Sequence, residues 1–87
     1  MANQIALELH ARHGEEVLVA EGAHCLGYET GAAAAIAGVQ LIPVGRDGAV
    51  TAAEVRSAVR PAVDWCPTTR ALVLENTHNR AGGRVIE

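Results

Sequence analysis

Residues 14–44, G-E-E-V-L-V-A-E-G-A-H-C-L-G-Y-E-T-G-A-A-A-A-I-A-G-V-Q-L-I-P-V, decide the fold. Within them Glu16–Ala20 reads E-V-L-V-A, a short and almost wholly apolar run. That is the pattern of a strand covered on both faces. A loop over residues 21–25 leaves it. Residues 28–37 have helical composition, and Gly38 ends them. Residues 39–44, V-Q-L-I-P-V, read as a second strand. Pro43 has no backbone donor and belongs near that strand's end. Strand, helix and strand in this order predict parallel pairing through a crossover connection.

Outward toward the N-terminus, Met1, Ile5 and Leu9 recur at every fourth residue. This is a helix stripe, and it predicts a helix over residues 1–13 that presents these three side chains as its apolar face. Gly14 follows His10, Arg12 and His13, as a C-terminal stop with cations in the last turn requires. No start signal precedes the periodic pattern. Outward in the other direction, Gly45-Arg46-Asp47-Gly48 is a turn. Thr51 through Glu54 spell T-A-A-E, a capping box, and predict a helix over 51–60 buried along Ala52, Val55 and Val59. Arg60-Pro61 ends it. A loop through Trp65, Cys66 and Pro67 leads to a third apolar run, residues 70–74, and then to a polar, Gly-rich tail.

The expected architecture is thus α/β, one domain over residues 1–87, with three parallel strands and flanking helices. In open sheets of this kind ligands bind beyond the carboxyl ends of the strands. Two segments leave strands there, one carrying His24 and the other Glu75 to Asn79. His24 and His78 are therefore expected on one rim, both accessible to solvent. His24 reads either as a surface-loop histidine or as a flat imidazole that stacks on a planar ligand or shuttles a proton. His78 lies in Asn76-Thr77-His78-Asn79 and reads either as part of a self-satisfying polar turn or as a site residue. His10 and His13 suit a helix end.

Composition narrows the function classes. Of 87 residues 49% are hydrophobic, enough for a core, but only 2% are aromatic, so the core rests on small aliphatic side chains and is thin. Net charge is −3 and the arginines are scattered, which disfavours nucleic acid and anionic membrane surfaces as partners. No signal segment or spanning stretch is legible. Cys25 and Cys66 are far apart and read as reduced thiols of a cytoplasmic protein. His24, Cys25, Cys66 and His78 lack metal-ligand spacing, so no metal site is expected. All seven basic residues are Arg. The chain has no lysine, and chemistry that needs a side-chain primary amine is excluded for this chain acting alone.

Residues 14–44, together with R-A-L-V-L-E-N-T-H-N-R-A-G-G-R-V-I over residues 70–86 and the opening M-A-N-Q-I-A-L, closely resemble the low-specificity L-threonine aldolases of the β-eliminating lyase group. The resemblance implies part of the large, pyridoxal 5′-phosphate-binding domain of a fold-type-I enzyme. That family consists of homo-oligomeric lyases that cleave β-hydroxy-α-amino acids, L-threonine among them, to glycine and an aldehyde. The resemblance assigns His24 to the histidine that stacks on the cofactor ring. It assigns His78 to the E-N-T-H-N histidine near the substrate hydroxyl, a candidate for proton transfer. The family's phosphate-binding turn precedes the segment matched by M-A-N, and its pyridine-nitrogen aspartate and Schiff-base lysine follow the matched region. The chain is accordingly expected to be inactive alone. The alternative is a non-enzymatic remnant or interaction module that associates with a full-length relative.

Overall fold

The structure is a computed structural model that describes residues Met1–Glu87. Its centre is strand β1, Glu16–Ala20, all five residues of which are buried. The run that reads as a doubly covered strand is one. On either side lie β2, Gln40–Val44, and β3, Thr69–Val73, giving the order β2-β1-β3 with both pairings parallel. The α/β reading with three parallel strands is therefore correct. Pro43 occupies the fourth position of β2 opposite Val19. It is tolerated because β2 is an edge strand with one side free of ladder bonds.

The β1–β3 ladder slips between Glu16 and Val17: Glu16 faces Thr69, but Val17 faces Ala71. Arg70 is the extra residue, and its guanidinium leaves the ladder to chelate Glu15, with Nη2–Oε1 at 2.6 Å. The bulge thus sets register with an ion pair at its mouth. The pair holds the Glu15 carboxyl down at about 2, through the Arg70 side chain first and the Arg12 amide second. Glu16, fully buried, is neutralised differently. It accepts from Thr69 Oγ1 at 2.7 Å and from Arg60 Nε at 3.1 Å, the partners a buried carboxylate needs.

One face of the sheet carries the core: Leu7, Ala11, Val17, Val19, Ala23, Cys25, Ala33, Ala37 and Val39. The N-terminal helix α1 is Ala2–His10, shorter than the expected 1–13, and it turns its other side to the sheet. Gln4 and Leu7, with Ala11 just past the helix end, face inward, while Ile5 is 54% and Leu9 76% exposed. The apolar spacing of Met1, Ile5 and Leu9 misleads because the buried face is spent on a polar residue. The Gln4 amide is needed inside, to donate to Glu29.

Of the expected helix over 28–37 only a single turn forms, α3 at Ala32–Ala35; another turn, α2 at His24–Gly27, starts within the stretch read as a loop. Between them Thr30 and Gly31 take positive φ, 52° and 72°, which no continuing helix permits. Helix α4 is Ala52–Ala58, opened by the expected capping box on Thr51 and Glu54. The anticipated buried stripe does not form: Ala52 is exposed, Val55 half-buried and Val59 exposed. The second sheet face is covered sparsely, and Leu72 and Leu74 remain partly open beside α4. A short 3-10 helix, η1 at Asn79–Ala81, is the last helical element of the chain. The longest helix has nine residues, so no helix is long and apolar enough to cross a membrane.

Candidate functional site

Parallel strands put all their carboxyl ends on one rim. From the end of β1 the chain turns through Glu21-Gly22-Ala23 into α2, with His24 its first residue. From the end of β3 it runs through Leu74 and Glu75 to His78, which caps η1. The two histidine segments meet at Glu75. One carboxylate oxygen accepts the His24 backbone N–H at 2.6 Å and the other the Asn79 N–H at 2.9 Å. Burial raises the Glu75 carboxyl, but the amides of Asn79 and His24, with the nearby histidines, bring it below the ordinary range. A charged acceptor on two amides is a strong clamp. The shared rim is as the sequence predicts.

The expected exposure of both histidines holds for only one of them. The His24 side chain is 49% exposed. Its ring stacks on Tyr28, centroids 5.5 Å apart and planes 24° apart. His24 Nδ1 lies 3.1 Å from Glu29 Oε1. An ionised carboxylate only accepts, so Nδ1 carries a proton, and in the neutral ring Nε2 is the nitrogen with the lone pair.

His78 is 1% exposed, contrary to expectation. Glycines explain why. A Cβ at Gly48 would come within 2.5 Å of His78 Cγ, and one at Gly22 within 3.5 Å of Cε1. The turn after β2 and the turn after β1 thus close on the imidazole, and at Gly48 only glycine leaves room for it. The backbone fixes it as well: His78 N–H donates to Arg84 O and Gly83 N–H to His78 O, both at 2.9 Å. His78 Nδ1 accepts the Ala81 N–H at 3.3 Å. A backbone N–H only donates, so in the neutral ring the proton is on Nε2, the opposite tautomer to His24. That Nε2 is buried and has no partner. Beside it lies a polar cleft of about 260 Å³, lined by Glu21, Gly22, Asp47, Gly48, His78 and Arg80.

Cys25, next to His24 in the chain, is buried in the core, its thiol pushed up by burial and by the Glu29 and Glu75 charges. Cys66 lies apart from the rim, and no group of three metal-ligating side chains converges. A larger apolar cleft, about 350 Å³, opens between α1 and the sheet, and neither His24 nor His78 lines it. Sequence reasoning missed Glu75, Glu29, Asn3 and Gln4. Glu75 and Glu29 stand inside the strings that carry the two histidines, E-N-T-H-N and Y-E, and a carboxylate that close to a candidate histidine was the available signal.

Comparison with known proteins follows the same segments. The beta-eliminating lyase family matches residues 1–87. The low specificity L-threonine aldolase of Escherichia coli K12 is 36% identical over 80 residues, 90% of this chain and 24% of that protein. Low-specificity L-threonine aldolase 1 of Arabidopsis thaliana is 32% identical over 91 residues, 99% of this chain and 25% of its own length. An uncharacterized Caenorhabditis elegans protein is 31% identical over 88 residues, 99% of this chain and 21% of its own. The chain spans about a quarter or less of the curated relatives it matches.

Proposed function

The chain belongs to the beta-eliminating lyase family, and on that premise we propose that residues 1–87 are part of a pyridoxal 5′-phosphate-binding large domain of threonine-aldolase type. Its reaction class is the cleavage of a β-hydroxy-α-amino acid, L-threonine among them, to glycine and an aldehyde. The observation that carries this reading is the convergence of His24 and His78 on one strand-end rim, clamped through Glu75.

The rim fits the cofactor in two respects. His24 has Tyr28 on one side and is half exposed, so a flat pyridine ring can stack on its open face. His78 holds a buried, unpartnered Nε2–H, which calls for an oxygen acceptor. The fit stops at the covalent link, because none of the 87 residues is lysine. Pyridoxal 5′-phosphate, when bound, supplies an electron sink for the pair left by the broken carbon–carbon bond. The residues of this chain orient and hold protons. His24 sets the plane of the ring. His78 offers Nε2–H to the substrate hydroxyl oxygen, and it cannot take the hydroxyl proton at Nε2 while Ala81 N–H occupies Nδ1. Proton acceptance there requires breaking that bond first.

A second reading is a non-enzymatic module that pairs with a full-length relative. The free edge of β3 favours it. Titration of the isolated chain with pyridoxal 5′-phosphate, read by NMR, tests the first reading. Ring-current shifts are expected at His24 and Tyr28, with affinity of about 1 mM or weaker, roughly −4 kcal/mol. Borohydride should trap no adduct on a side chain, and threonine should not be cleaved faster than by free cofactor. Shifts confined to residues away from the rim would overturn the reading.

A further inference from the structure

We infer that Glu29 is the positioning residue of the site: its carboxylate holds a proton of His24 on Nδ1, fixes the ring plane, and makes Nε2 the unprotonated nitrogen of the neutral ring. The inference rests on the reading of His24 as the ring-stacking residue, and it deepens that reading.

Three side-chain donors converge on Glu29. His24 Nδ1 is 3.1 Å and Asn3 Nδ2 2.6 Å from Oε1, and Gln4 Nε2 donates to Oε2. The donors come from two elements, α1 and α2, and the acceptor stands on the turn between α2 and α3, where Thr30 and Gly31 reverse the chain with positive φ. That reversal breaks the expected helix, and its outcome is to bring Glu29 back against His24, five residues earlier. An uninterrupted helix would carry position 29 well past the face of position 24, because five residues turn about 500° at 100° each. Gln4 is nine-tenths buried although it is polar, and its amide is spent on the same carboxylate. So the chain gives up a helix and a buried apolar position on α1 to hold one carboxylate beside one imidazole.

The charge state is consistent. The Glu29 carboxyl lies below the ordinary glutamate range, first because of the His24 hydrogen bond, with the Asn3 and Gln4 donors helping it against the opposing effect of burial. The other groups facing His24 are Tyr28, stacked on its ring, and Glu75 and Cys25 from β3's exit and α2. Glu75 engages the His24 backbone amide rather than its ring. Glu29 is therefore the acceptor that sets the tautomer.

The test is a long-range proton–nitrogen correlation on the imidazole of the 87-residue chain at neutral pH. The wild type should show His24 as the Nδ1–H form, with Nε2 in the unprotonated range. In Glu29→Gln the carbonyl must be shared among three donors without charge, and the Nε2–H form should become the major one. Glu29→Asp, which keeps the charge, should retain at least partial Nδ1–H character. In His24→Ala the titration midpoint of the Glu29 side-chain carbon should move up. A wild-type His24 in the Nε2–H form overturns the inference, whether or not any variant folds. So does a Glu29→Gln variant with an unchanged tautomer. Added pyridoxal 5′-phosphate separates the two claims: the expected tautomer with no ring-current shift at His24 leaves the positioning role standing and removes the cofactor reading.

Discussion

The two histidine segments occupy one rim and are held by opposite means. His24 is half exposed, and carboxylates hold it: Glu29 on its ring and Glu75 on its amide. His78 is sealed, and shape holds it: two glycine turns close on the imidazole, and main-chain bonds to Arg84 and Gly83 fix the backbone. The tautomers follow from the partners. A carboxylate can only accept and so puts the proton of His24 on Nδ1, whereas an amide can only donate and so puts that of His78 on Nε2. One strand-end rim thus holds a half-exposed imidazole and a sealed N–H donor, a division of roles by environment that the identical side chains do not reveal.

The largest expected effect strikes the shape-held side. At Gly48→Ala a new Cβ meets His78 Cγ at 2.5 Å on a backbone with φ of 73°. Both overpacking and left-handed strain oppose it, and the cost is expected at about 2–3 kcal/mol. Gly22→Ala meets His78 and Arg80 only at 3.5–3.6 Å, with φ of 79°, so only the strain remains and the loss should be smaller. Urea midpoints of the two variants check the order. Equal losses would mean that His78 is not boxed as described.

How much of this was legible beforehand follows the same division. Glu16–Ala20 declares itself because five consecutive residues, four of them apolar, fit only a strand covered on both faces, and the capping box of Thr51 and Glu54 is purely local. The rim was legible because parallel order alone sends both histidine segments to it. The burial of His78 was not, since it depends on Gly48, thirty positions away in sequence and adjacent only after folding. The failed apolar stripe of α1 has the same cause: Gln4 faces inward for Glu29, a partner 25 residues distant. Periodicity reports what a helix could bury, and a distant carboxylate decided which face it did.

A smaller effect is expected where the two regimes join. Glu75→Ala removes the acceptor for the His24 and Asn79 amides at once. Two charge-assisted bonds at a partly exposed site should cost about 1–2 kcal/mol. Amide exchange should accelerate at His24 and Asn79 together. His78 N–H, which donates to Arg84 O, should keep its protection. Acceleration at only one of the two would show that Glu75 is a cap and not a clamp.

The smallest effect, and the sharpest contrast, comes from acid. Glu29 and Glu75 both have carboxyls lowered in the folded chain, Glu29 chiefly by the His24 hydrogen bond, Glu75 by the Asn79 and His24 amides against burial. A lowered folded value means stability that is complete above the unfolded glutamate value of 4.5 and is lost as pH falls through the folded one. His24 should therefore loosen as the solution is taken below pH 4.5, with exchange at its amide rising several-fold. The His78 amide is held by its main-chain bond to Arg84 O, which does not titrate, so its protection should outlast that of the His24 amide. The Glu15–Arg70 pair supplies the internal reference. Its carboxyl lies at about 2, so the β1–β3 bulge should keep its ion pair after the Glu29 and Glu75 contacts have weakened. Loss in that sequence, His24 first and the sheet register last, is what carboxylate control of one histidine and steric control of the other require. If both histidine amides lose protection at the same pH, together with the β1 amides, then the rim opens only by global unfolding and the two regimes are one.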